Sequence, residues 1–317
     1  MRALVTGCAG FIGSTVVEAL IARGDEVTGL DNFDPLYDPA LKRANLAALA
    51  SSDRFHLIAG DIRDAALVTQ ALECSQPETI IHLAALAGVR PSLQRPAEYT
   101  SVNVDGTVTL LEAAHQHGVP QFIFGSSSSV YGATNQLPFS EDQPIHRPLS
   151  PYAASKASAE AFCYTYHHLY GIRMALLRFF TVYGPRQRPD LAINKFVRLL
   201  LAGEPIPMYG DGTSSRDYTY VGDIAAGVLA ALDADLDFEI INLGGSSPVT
   251  LKDLIAAIGE VLDREPQVQQ LPDQPGDVPC TYANIAKAAA LLGWAPQLNL
   301  ADGLRHFTRW YAAIPLS

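Results

Sequence analysis

The sequence predicts an α/β protein built on a doubly wound parallel sheet, with a smaller C-terminal α/β lobe. Short apolar strands alternate with helical segments through the first half of the 317-residue chain, which is the pattern of a parallel sheet. From Gly184 onward prolines and glycines cluster, and the strands become shorter. We therefore predict a first domain over residues 1–180 and a second mainly over 181–317. The alternative is that the chain crosses back into the first.

The individual elements follow from hydrophobic spacing and from the residues that begin and end them. In the first domain, strands are predicted at 2–6, 26–31, 55–60, 79–83, 121–124 and 173–179, and helices at 11–23, 41–50, 99–117 and 151–170. Gly24 and Gly118 follow two of these helices as C-caps, and Ser150 caps the last, with Pro151 in its first turn. In the second domain, helices are predicted at 193–201, 223–232, 251–262, 285–292 and 301–311, and a strand at 239–242.

The composition is that of an ordinary globular protein, with 48% hydrophobic and 17% charged residues. A net charge of −11 disfavours nucleic acid as a partner, because phosphate binding needs a basic surface. It still allows an anionic small molecule in a locally basic pocket. No run of about 18 apolar residues occurs, so no membrane span is expected.

The cysteines indicate the compartment. Cys8, Cys74, Cys163 and Cys280 are scattered and form no C-x-x-C pair. This spacing predicts neither a metal site nor a disulfide framework, and it favours a reducing, cytoplasmic setting.

A glycine-rich turn follows the first strand. Gly7, Gly10 and Gly13 have the spacing G-x-x-G-x-x-G and precede a helix. The first glycine permits a tight turn, the second lets the backbone approach a phosphate, and the third lets helix and strand pack closely. We predict that this turn, with Phe11 and Ile12, holds the pyrophosphate of a dinucleotide in a Rossmann-type unit. The alternative is a simple turn without a ligand.

Asp31 ends the second strand and favours NAD as that dinucleotide. A carboxylate at this place binds both ribose hydroxyls and repels a 2′-phosphate. No arginine follows at Asn32 or Phe33, so NADP is disfavoured. Asp31 and Asn32 are therefore predicted to bind the adenosine ribose of NAD.

Two further segments are predicted to contact the cofactor. Asp61 and Ile62 follow the third strand, where a carboxylate meets the adenine amino group. Leu83, Ala84 and Ala85 follow the fourth strand and are small enough to leave room for the cofactor. Loop capping and sheet packing are the alternative explanations for these residues.

Tyr152 and Lys156 form the candidate catalytic pair. They are four residues apart in a predicted helix and so lie on one face of it. A tyrosine has a pKa of about 10 and is a poor base at neutral pH. A nearby ammonium favours the phenolate, so Lys156 is predicted to lower the pKa of Tyr152 and to bind the nicotinamide ribose. The alternative is that both are surface residues.

A run of four serines follows the strand at 121–124. Hydroxyls at the carboxyl end of such a strand face the crevice where ligands bind. Ser127 is predicted to hydrogen-bond the reacting sugar oxygen, and Ser126 to contact the cofactor. The alternative is a flexible serine loop.

Together these motifs resemble the nucleotide-sugar epimerases of the extended short-chain dehydrogenase/reductase family. The resemblance extends along essentially the whole chain. Its motifs are TGCAGFIG at 6–13, GDIRD at 60–64, HLAA at 82–85, SVNVDGT at 101–107, SSSSVYG at 126–132, YAASK at 152–156, RFFTVYGPRQRP at 178–189, GDGTSSRDYTYVGDI at 210–224 and QPGDV at 274–278.

The resemblance implies roles for residues of this chain. Ser127, Tyr152 and Lys156 correspond to the catalytic triad, and Asn103 to the asparagine that supports it. Phe179 is expected beside the nicotinamide. Arg216 is expected to bind the UDP diphosphate, and Asp277 lies in a segment that meets the nucleoside. The family also implies a homodimer, formed by the helices of Asn103 and Tyr152 pairing into a four-helix bundle.

The resemblance further implies NAD-dependent 4-epimerisation of a UDP-sugar through a transient 4-keto intermediate, with UDP-glucuronate converted to UDP-galacturonate as the favoured reaction. Ser128 and Ser129 stand where related dehydratases and decarboxylases carry an acid, so those onward reactions lack their proton donor or acceptor. Ser128, Ser129 and Thr181 are predicted to hold the uronate carboxylate, together with Arg188 or, less favourably, Arg186. The remaining residues predicted to bind the substrate are Arg90 and Lys195.

Three alternatives remain open at the sequence level. The substrate could be UDP-glucose or a UDP-N-acetylhexosamine. The reaction could be UDP-glucuronate decarboxylation. The chain could also be a catalytically silent NAD-binding scaffold, although the tyrosine, lysine and serine are all present.

Overall fold

The computed structural model describes residues 1–132, 136–272 and 278–313, and a seven-stranded parallel sheet lies at its centre. In chain order the strands are β1 Arg2–Thr6, β2 Glu26–Asp31, β3 Phe55–Ala59, β4 Thr79–His82, β5 Gln121–Ser127, β6 Arg173–Phe179, β7 Thr181–Tyr183, β8 Ile206–Tyr209, β9 Ser215–Tyr220, β10 Phe238–Leu243, β11 Pro248–Thr250 and β12 Val268–Leu271. The main sheet has the order β10-β6-β5-β4-β1-β2-β3, which confirms the predicted doubly wound α/β fold.

Twelve α-helices surround the sheets within the described residues. They are α1 Phe11–Arg23, α2 Pro39–Asn45, α3 Ala65–Ser75, α4 Val89–Gln94, α5 Pro96–Thr100, α6 Gly106–Gln116, α7 Pro151–Tyr170, α8 Ala192–Ala202, α9 Val221–Asp233, α10 Leu251–Leu262, α11 Ala286–Leu292 and α12 Leu300–Ala313. No helix in this part of the chain combines the length and apolar character needed to cross a membrane.

Alternating strand residues divide the core between the two faces of the main sheet. Leu4 of β1 packs with residues from α3, α6 and α7 on one face, and Val5 packs with residues from α1 and α9 on the other. Successive side chains of a strand point to opposite faces, so each strand contributes to both clusters. A third cluster, formed by α8, α10, α12 and β8, is the core of the C-terminal lobe.

The lobe contains two small sheets, of order β11-β9-β7 and β12-β8. The chain also crosses back to the first domain, as the alternative allowed. Strand β10 pairs in parallel with β6 as the seventh strand, and helix α9 packs against α1. The sequence signal for this strand is purely local, and only the tertiary pairing shows which sheet it joins.

Two predicted helices differ from the structure. The helix predicted at 99–117 begins earlier, as α5, and continues through a π-helical turn at Ser101–Asp105 into α6. The helix predicted at 41–50 is the shorter α2 followed by a 3₁₀ turn at Ala47–Leu49. Helix α3 was not predicted; its local signal is Asp64, whose side chain accepts hydrogen bonds from the backbone of Ala66 and Leu67.

Candidate active site

The glycine turn between β1 and α1 is built as predicted. Gly7 has φ = +70°, and a Cβ there would lie 2.7 Å from the backbone nitrogen of Ala84. A Cβ on Gly13 would lie 2.0 Å from the carbonyl oxygen of Gly7, so only glycine allows α1 to approach β1 this closely. Helix α1 begins at Gly10 without a side-chain cap, which leaves its first N–H groups available to an anion.

Asp31, at the end of β2, is hydrogen-bonded to this turn. Its carboxylate accepts hydrogen bonds from the backbone nitrogens of Ala9, at 3.0 Å, and Phe33, at 2.8 Å. The neighbouring Asp61 accepts from Asn32 and forms an ion pair with Arg63 at 2.7 Å. Hydrogen bonds from Arg63 lower the pKa of Asp61 to about 2, so this carboxylate is ionised at neutral pH.

A cavity of about 420 Å³ extends from the glycine turn to the carboxyl end of β5. This is the switch point of the strand order, where such sheets bind ligands. Every residue predicted to bind the cofactor lines it, except Asn103. The predicted residues in its wall are Gly7, Gly10, Phe11, Ile12, Gly13, Asp31, Asn32, Asp61, Ile62, Leu83, Ala84, Ala85, Ser126, Ser127, Tyr152, Lys156 and Phe179.

Tyr152 and Ser127 meet in the wall of this cavity. Ser127 ends β5 and caps the 3₁₀ turn Ser128–Tyr131, and its hydroxyl accepts a hydrogen bond from the hydroxyl of Ser129 at 2.9 Å. Burial raises the pKa of Tyr152 above its usual value of 10. A hydrogen bond with Ser127 and the charge of Arg188 act in the opposite direction. These two residues are the chain's own means of favouring the phenolate.

Lys156 lies one turn further along α7, but its charge is directed elsewhere. Its ammonium donates to the carbonyl oxygen of Gly125 at 2.7 Å and lies 4.7 Å from the centre of the Phe124 ring. Burial lowers the pKa of Lys156 to about 8. The groups that lower the pKa of the Tyr152 phenol are Ser127 and Arg188, while the Lys156 side chain extends toward the backbone of β5. The predicted effect of Lys156 on Tyr152 stays a prediction.

Asn103 lies behind the cavity and supports its wall. Its amide binds both backbone groups of Leu86 and donates to the hydroxyl of Ser155, which in turn donates to the carbonyl oxygen of Tyr152. Both amide hydrogens are therefore used within the protein. The π-helical turn that carries Asn103 thus connects the loop after β4 to helix α7.

A buried ion pair beneath the serines was missed at the sequence level. Glu160 accepts from Ser126 at 2.5 Å and from Arg178 at 2.7 and 3.0 Å, and the two charged side chains are almost completely buried. Arg178 also lies over the ring of Tyr131. The available signal was a four-residue spacing on α7, where Glu160 follows Tyr152 and Lys156 on the same helical face.

Beyond Tyr152, a second cavity of about 170 Å³ adjoins the first. Ser128, Ser129 and Thr181 line both cavities, and Arg216 lines only the second. The serines and the threonine thus lie at the junction of a dinucleotide-sized cavity and a smaller cavity whose wall includes the Arg216 side chain. Contact of these four residues with a substrate stays a prediction.

Arg188 reaches the same junction from the loop after β7. Its guanidinium is mostly buried, forms a two-point ion pair with Asp190 at 2.7 and 3.0 Å, and donates to the carbonyl oxygen of Ala87 at 3.0 Å. Three of its five N–H groups are used in this way, which leaves two for a ligand in the cavity.

Three other predicted substrate residues, Arg186, Arg90 and Lys195, are not brought to the cavities. Arg186 forms an ion pair with Glu18 of α1, and Arg90 lies exposed over the ring of Tyr209. Lys195, on α8, lines neither cavity. Asp277 lies outside the described residues.

The described part of the chain contains no cluster of three or more side chains that could hold a metal ion. All four cysteines are free thiols, and Cys8 and Cys163 are buried. Burial raises the pKa of both thiols, so neither is poised to react as a thiolate.

Comparison with known proteins places the chain in a family. The model described as NAD dependent epimerase/dehydratase family matches residues 3–244. A UDP-glucuronate 4-epimerase from Thermodesulfobacterium geofontis (strain OPF15) is 42% identical over 308 residues, covering 97% of this chain and 95% of the relative.

Solved structures of similar fold include further epimerases. The UDP-glucuronic acid 4-epimerase from Bacillus cereus, in complex with UDP-glucuronic acid and NAD, superposes with a TM-score of 0.93 at 37% identity and covers 98% of this chain and 99% of its own. A UDP-glucose 4-epimerase from Thermotoga maritima, with UDP-glucose, gives a TM-score of 0.91 at 32% identity, again over 98% and 99%. Because the family model and the relatives extend along most of the sequence, the chain belongs to the NAD dependent epimerase/dehydratase family.

Proposed function

We propose that this chain is an NAD-dependent UDP-glucuronate 4-epimerase, which interconverts UDP-glucuronate and UDP-galacturonate through a transient 4-keto sugar. One observation carries the proposal. The Ser127–Tyr152 hydroxyl pair lies in the wall of the larger cavity, and Ser128, Ser129 and Thr181, whose hydroxyls are neutral, line both this cavity and the smaller one.

The residues of the larger cavity fit NAD. The glycine turn forms a cradle that a Cβ would fill, and the uncapped N-terminus of α1 faces it. Asp31 is rigidly held where a ribose needs a two-point acceptor. When bound, NAD supplies the site that takes a hydride from the sugar C4 and returns it to the opposite face.

Tyr152 acts as the base that removes the proton from the sugar 4-hydroxyl and later returns it. Its hydrogen bond with Ser127 orients the phenol, and the charge of Arg188 favours the phenolate. Lys156, held against β5, is placed to donate to the nicotinamide ribose. Asn103 and the Glu160–Arg178 pair position the helix and strand that carry these groups.

The carboxylate of the sugar must be held away from the ketone. A 4-keto uronic acid is a β-keto acid and loses CO₂ when its carboxylate aligns with the carbonyl. Ser128, Ser129 and Thr181 offer neutral donors at the cavity junction, and Arg188 has two free N–H groups beside them. This set binds the carboxylate by hydrogen bonds and one charge.

Dehydration needs a proton donor or acceptor beside the reacting carbon, whereas decarboxylation needs the sugar carboxylate aligned with the ketone, which the hydroxyls described above prevent. The described residues that line the two cavities include three carboxylates, Asp31, Asp34 and Asp61, and all three follow β2 or β3 at the adenosine end. Oxidation of the sugar and return of the hydride therefore remain as the chemistry that this set of residues supports.

The test is to incubate the full-length protein with NAD and, in separate reactions, UDP-glucuronate, UDP-glucose and UDP-N-acetylglucosamine, and to identify the products by NMR. UDP-galacturonate as the main product supports the proposal. A UDP-pentose with released CO₂ would indicate the decarboxylase, and turnover confined to neutral hexoses would indicate a hexose epimerase. No turnover of any substrate by an NAD-binding protein would leave the scaffold alternative.

Thr181→Ala gives a second reading of the same site. We expect it to lower kcat/KM for UDP-glucuronate about 10-fold, the loss of one charge-assisted hydrogen bond, and to release a detectable UDP-pentose. Thr165→Ala, which removes a threonine hydroxyl on the outer face of α7, is the matched control and should leave turnover unchanged. Equal kinetics and products for both variants would remove the carboxylate argument.

We further propose that the protein is a homodimer that forms a four-helix bundle from α6 and α7 of each copy. Phe162 and Leu169 lie seven residues apart on α7 and are both exposed, which leaves an apolar stripe on the outer face of this helix.

We also propose a cytoplasmic location, because four free thiols are suited to a reducing compartment. We further propose that the chain divides at residue 180 into a cofactor-binding part and a part that mainly binds the nucleotide sugar.

A further inference from the structure

We propose that Lys42 and Tyr37 bind the diphosphate of the dinucleotide, as a cation and a hydroxyl that close over the glycine turn. The proposal rests on the proposed function only in taking NAD as the resident dinucleotide. Neither residue was among the predicted site residues.

Helix α2 carries Lys42 to the glycine turn. Asp38 caps this helix, and its inward face buries Lys42 and Asn45, three residues apart. The amide of Asn45 donates to the carbonyl oxygen of Ala9, within the turn, at 3.0 Å. Lys42 is thereby held beside the turn, and it lines the larger cavity.

The Lys42 ammonium has no anionic partner among the described residues. The residue is 8% exposed, and the contact of its ammonium is with the ring of Tyr37, at 5.1 Å from the ring centre. No ion pair joins this ammonium to Asp31, whose carboxylate accepts hydrogen bonds from the backbone of Ala9 and Phe33. A buried charge without a partner is unfavourable, and an anion bound in the cavity would supply that partner.

The Tyr37 hydroxyl is a second group that an anionic ligand would satisfy. Its oxygen is completely buried and has no hydrogen-bond partner in the described part of the chain, and the residue lines the same cavity. Burial raises the pKa of Tyr37 to about 12, so the phenol remains a hydrogen-bond donor at neutral pH. A phosphate oxygen in the cavity would accept that hydrogen bond.

The uncapped N-terminus of α1 completes the set. This helix is 13 residues long, has no side-chain cap at Gly10 and no acidic residue in its first turn. An ammonium, a phenol and free backbone N–H groups thus face one cavity from α2, the loop before it and α1. A diphosphate, with two charges and several acceptor oxygens, matches these donors better than a single carboxylate does.

The experiment is calorimetric titration of full-length protein freed of nucleotide, with NAD, ADP-ribose and adenosine as ligands. For Lys42→Met we expect the Kd for NAD and for ADP-ribose to rise about 30-fold, as for the loss of one charge-assisted contact. The Kd for adenosine, which lacks phosphate, should change less than twofold. Tyr37→Phe should show the same pattern with a smaller loss of affinity, about fivefold.

Two controls distinguish a ligand-binding Lys42 from a structural one. Arg43→Met removes the neighbouring exposed cation, which stacks on Phe33, and should leave all three affinities unchanged. The nucleotide-free Lys42→Met protein should unfold at a temperature no lower than the unmodified protein, because no internal partner of the ammonium is lost. A lower unfolding temperature would indicate a structural lysine and overturn the proposal.

The titrations decide the remaining outcomes. An unchanged affinity of Lys42→Met for NAD, or an equal loss for NAD and adenosine, would overturn the proposal. A loss confined to UDP, titrated in parallel, would place the ammonium against the substrate diphosphate and also overturn it. If the unmodified protein binds NAD through Lys42 but turns over no UDP-sugar, the proposed function fails while this inference stands.

Discussion

The ammonium of Lys156 donates to the carbonyl oxygen of Gly125 at 2.7 Å, so this lysine is anchored to strand β5, next to the serines. The residues that face it from the elements packed around it are His82 on β4 and, on its own helix, Glu160 and Cys163. Its charge state therefore depends on a buried environment shared by β4, β5 and α7.

We expect activity to fall as Lys156 loses its proton. Burial lowers the pKa of Lys156 from 10.5 to about 8. The side chain is therefore mainly protonated below pH 8 and mainly neutral above it. The kcat/KM profile should show an alkaline limb near pH 8. Lys156→Arg, which stays charged, should move this limb to higher pH, and Lys156→Met should lower kcat/KM about 100-fold at every pH. A limb that stays in place in the arginine variant would contradict this assignment.

The same pKa predicts the direction of a stability change. The folded chain releases the Lys156 proton near pH 8, whereas the unfolded chain keeps it to about 10.5. The free energy of unfolding should therefore gain a contribution between these pH values as pH rises. Lys156→Met should lack this rise when both proteins are unfolded with urea at pH 7.5 and 10.

Arg188 is expected to set the acid limb of the profile. Its charge lowers the pKa of Tyr152 against the effect of burial, so Arg188→Met should raise the pKa of the phenol and shift the acid limb to higher pH. The variant should also release a UDP-pentose from UDP-glucuronate. Asp190→Asn removes the partner but keeps the guanidinium charge, and we expect its acid limb to stay in place. Identical acid limbs for Arg188→Met and the unmodified protein would refute the role.

The Glu160–Arg178 pair should support both stability and catalysis. Glu160→Gln keeps an acceptor for Ser126 but leaves the buried Arg178 unpaired, and we expect a loss of about 3–5 kcal/mol in the free energy of unfolding. Since Glu160 raises the pKa of Lys156, the alkaline limb should also move to lower pH. Glu98→Gln, which breaks an exposed pair with Arg95, should cost less than about 1 kcal/mol and leave the profile unchanged. A purely structural pair would lower stability without moving the limb.

Two glycines of the first turn should respond differently to replacement by alanine. Gly13→Ala places a Cβ 2.0 Å from the Gly7 carbonyl oxygen, and we expect about 1–3 kcal/mol of destabilisation, or more, by urea unfolding. Gly10→Ala meets the nearest atom at 3.2 Å and should fold almost normally but lose NAD affinity, because its side chain occupies the approach to the phosphates. Normal NAD binding by Gly10→Ala would contradict the assigned site.

Charge on the outer face of α7 should dissociate the proposed dimer. The double variant Phe162→Glu and Leu169→Glu introduces like charges where two copies would meet, so light scattering at micromolar concentration should give the mass of one chain, near 34.1 kDa. Leu291→Glu, an equally drastic change at an exposed leucine of α11, should leave the dimer intact. A monomeric unmodified protein would remove the dimer proposal.

Local signals account for what could be predicted about the fold. Strands β1, β2 and β6 and helices α1 and α7 have the predicted bounds, because each has its own apolar spacing and begins or ends at a capping residue. The break of the helix near Asn103 had no such signal. Its π-helical turn places Asn103 between Leu86 and Ser155, which are 17 and 52 residues away in the sequence. Contacts at that separation leave no local pattern.

The site residues likewise fall into those that local sequence patterns could place and those that they could not. Motifs with fixed spacing, the glycine turn and the Tyr152–Lys156 pair, place their groups relative to a single element, and the structure brings them to one cavity. Loop arginines carry no spacing rule, so the sequence favoured Arg188 over Arg186 but left both as candidates. The turn between them directs one to the cavity and the other to Glu18.

The sequence by itself determined the family and the α/β class, since these depend on residue types at short, regular separations. The tertiary structure alone decided that β10 completes the main sheet, that Lys156 is anchored to Gly125, and that Lys42 lies beside the glycine turn. The physical reason is that burial and electrostatic partners depend on which distant segments meet, and a chain brings such segments together only when it folds.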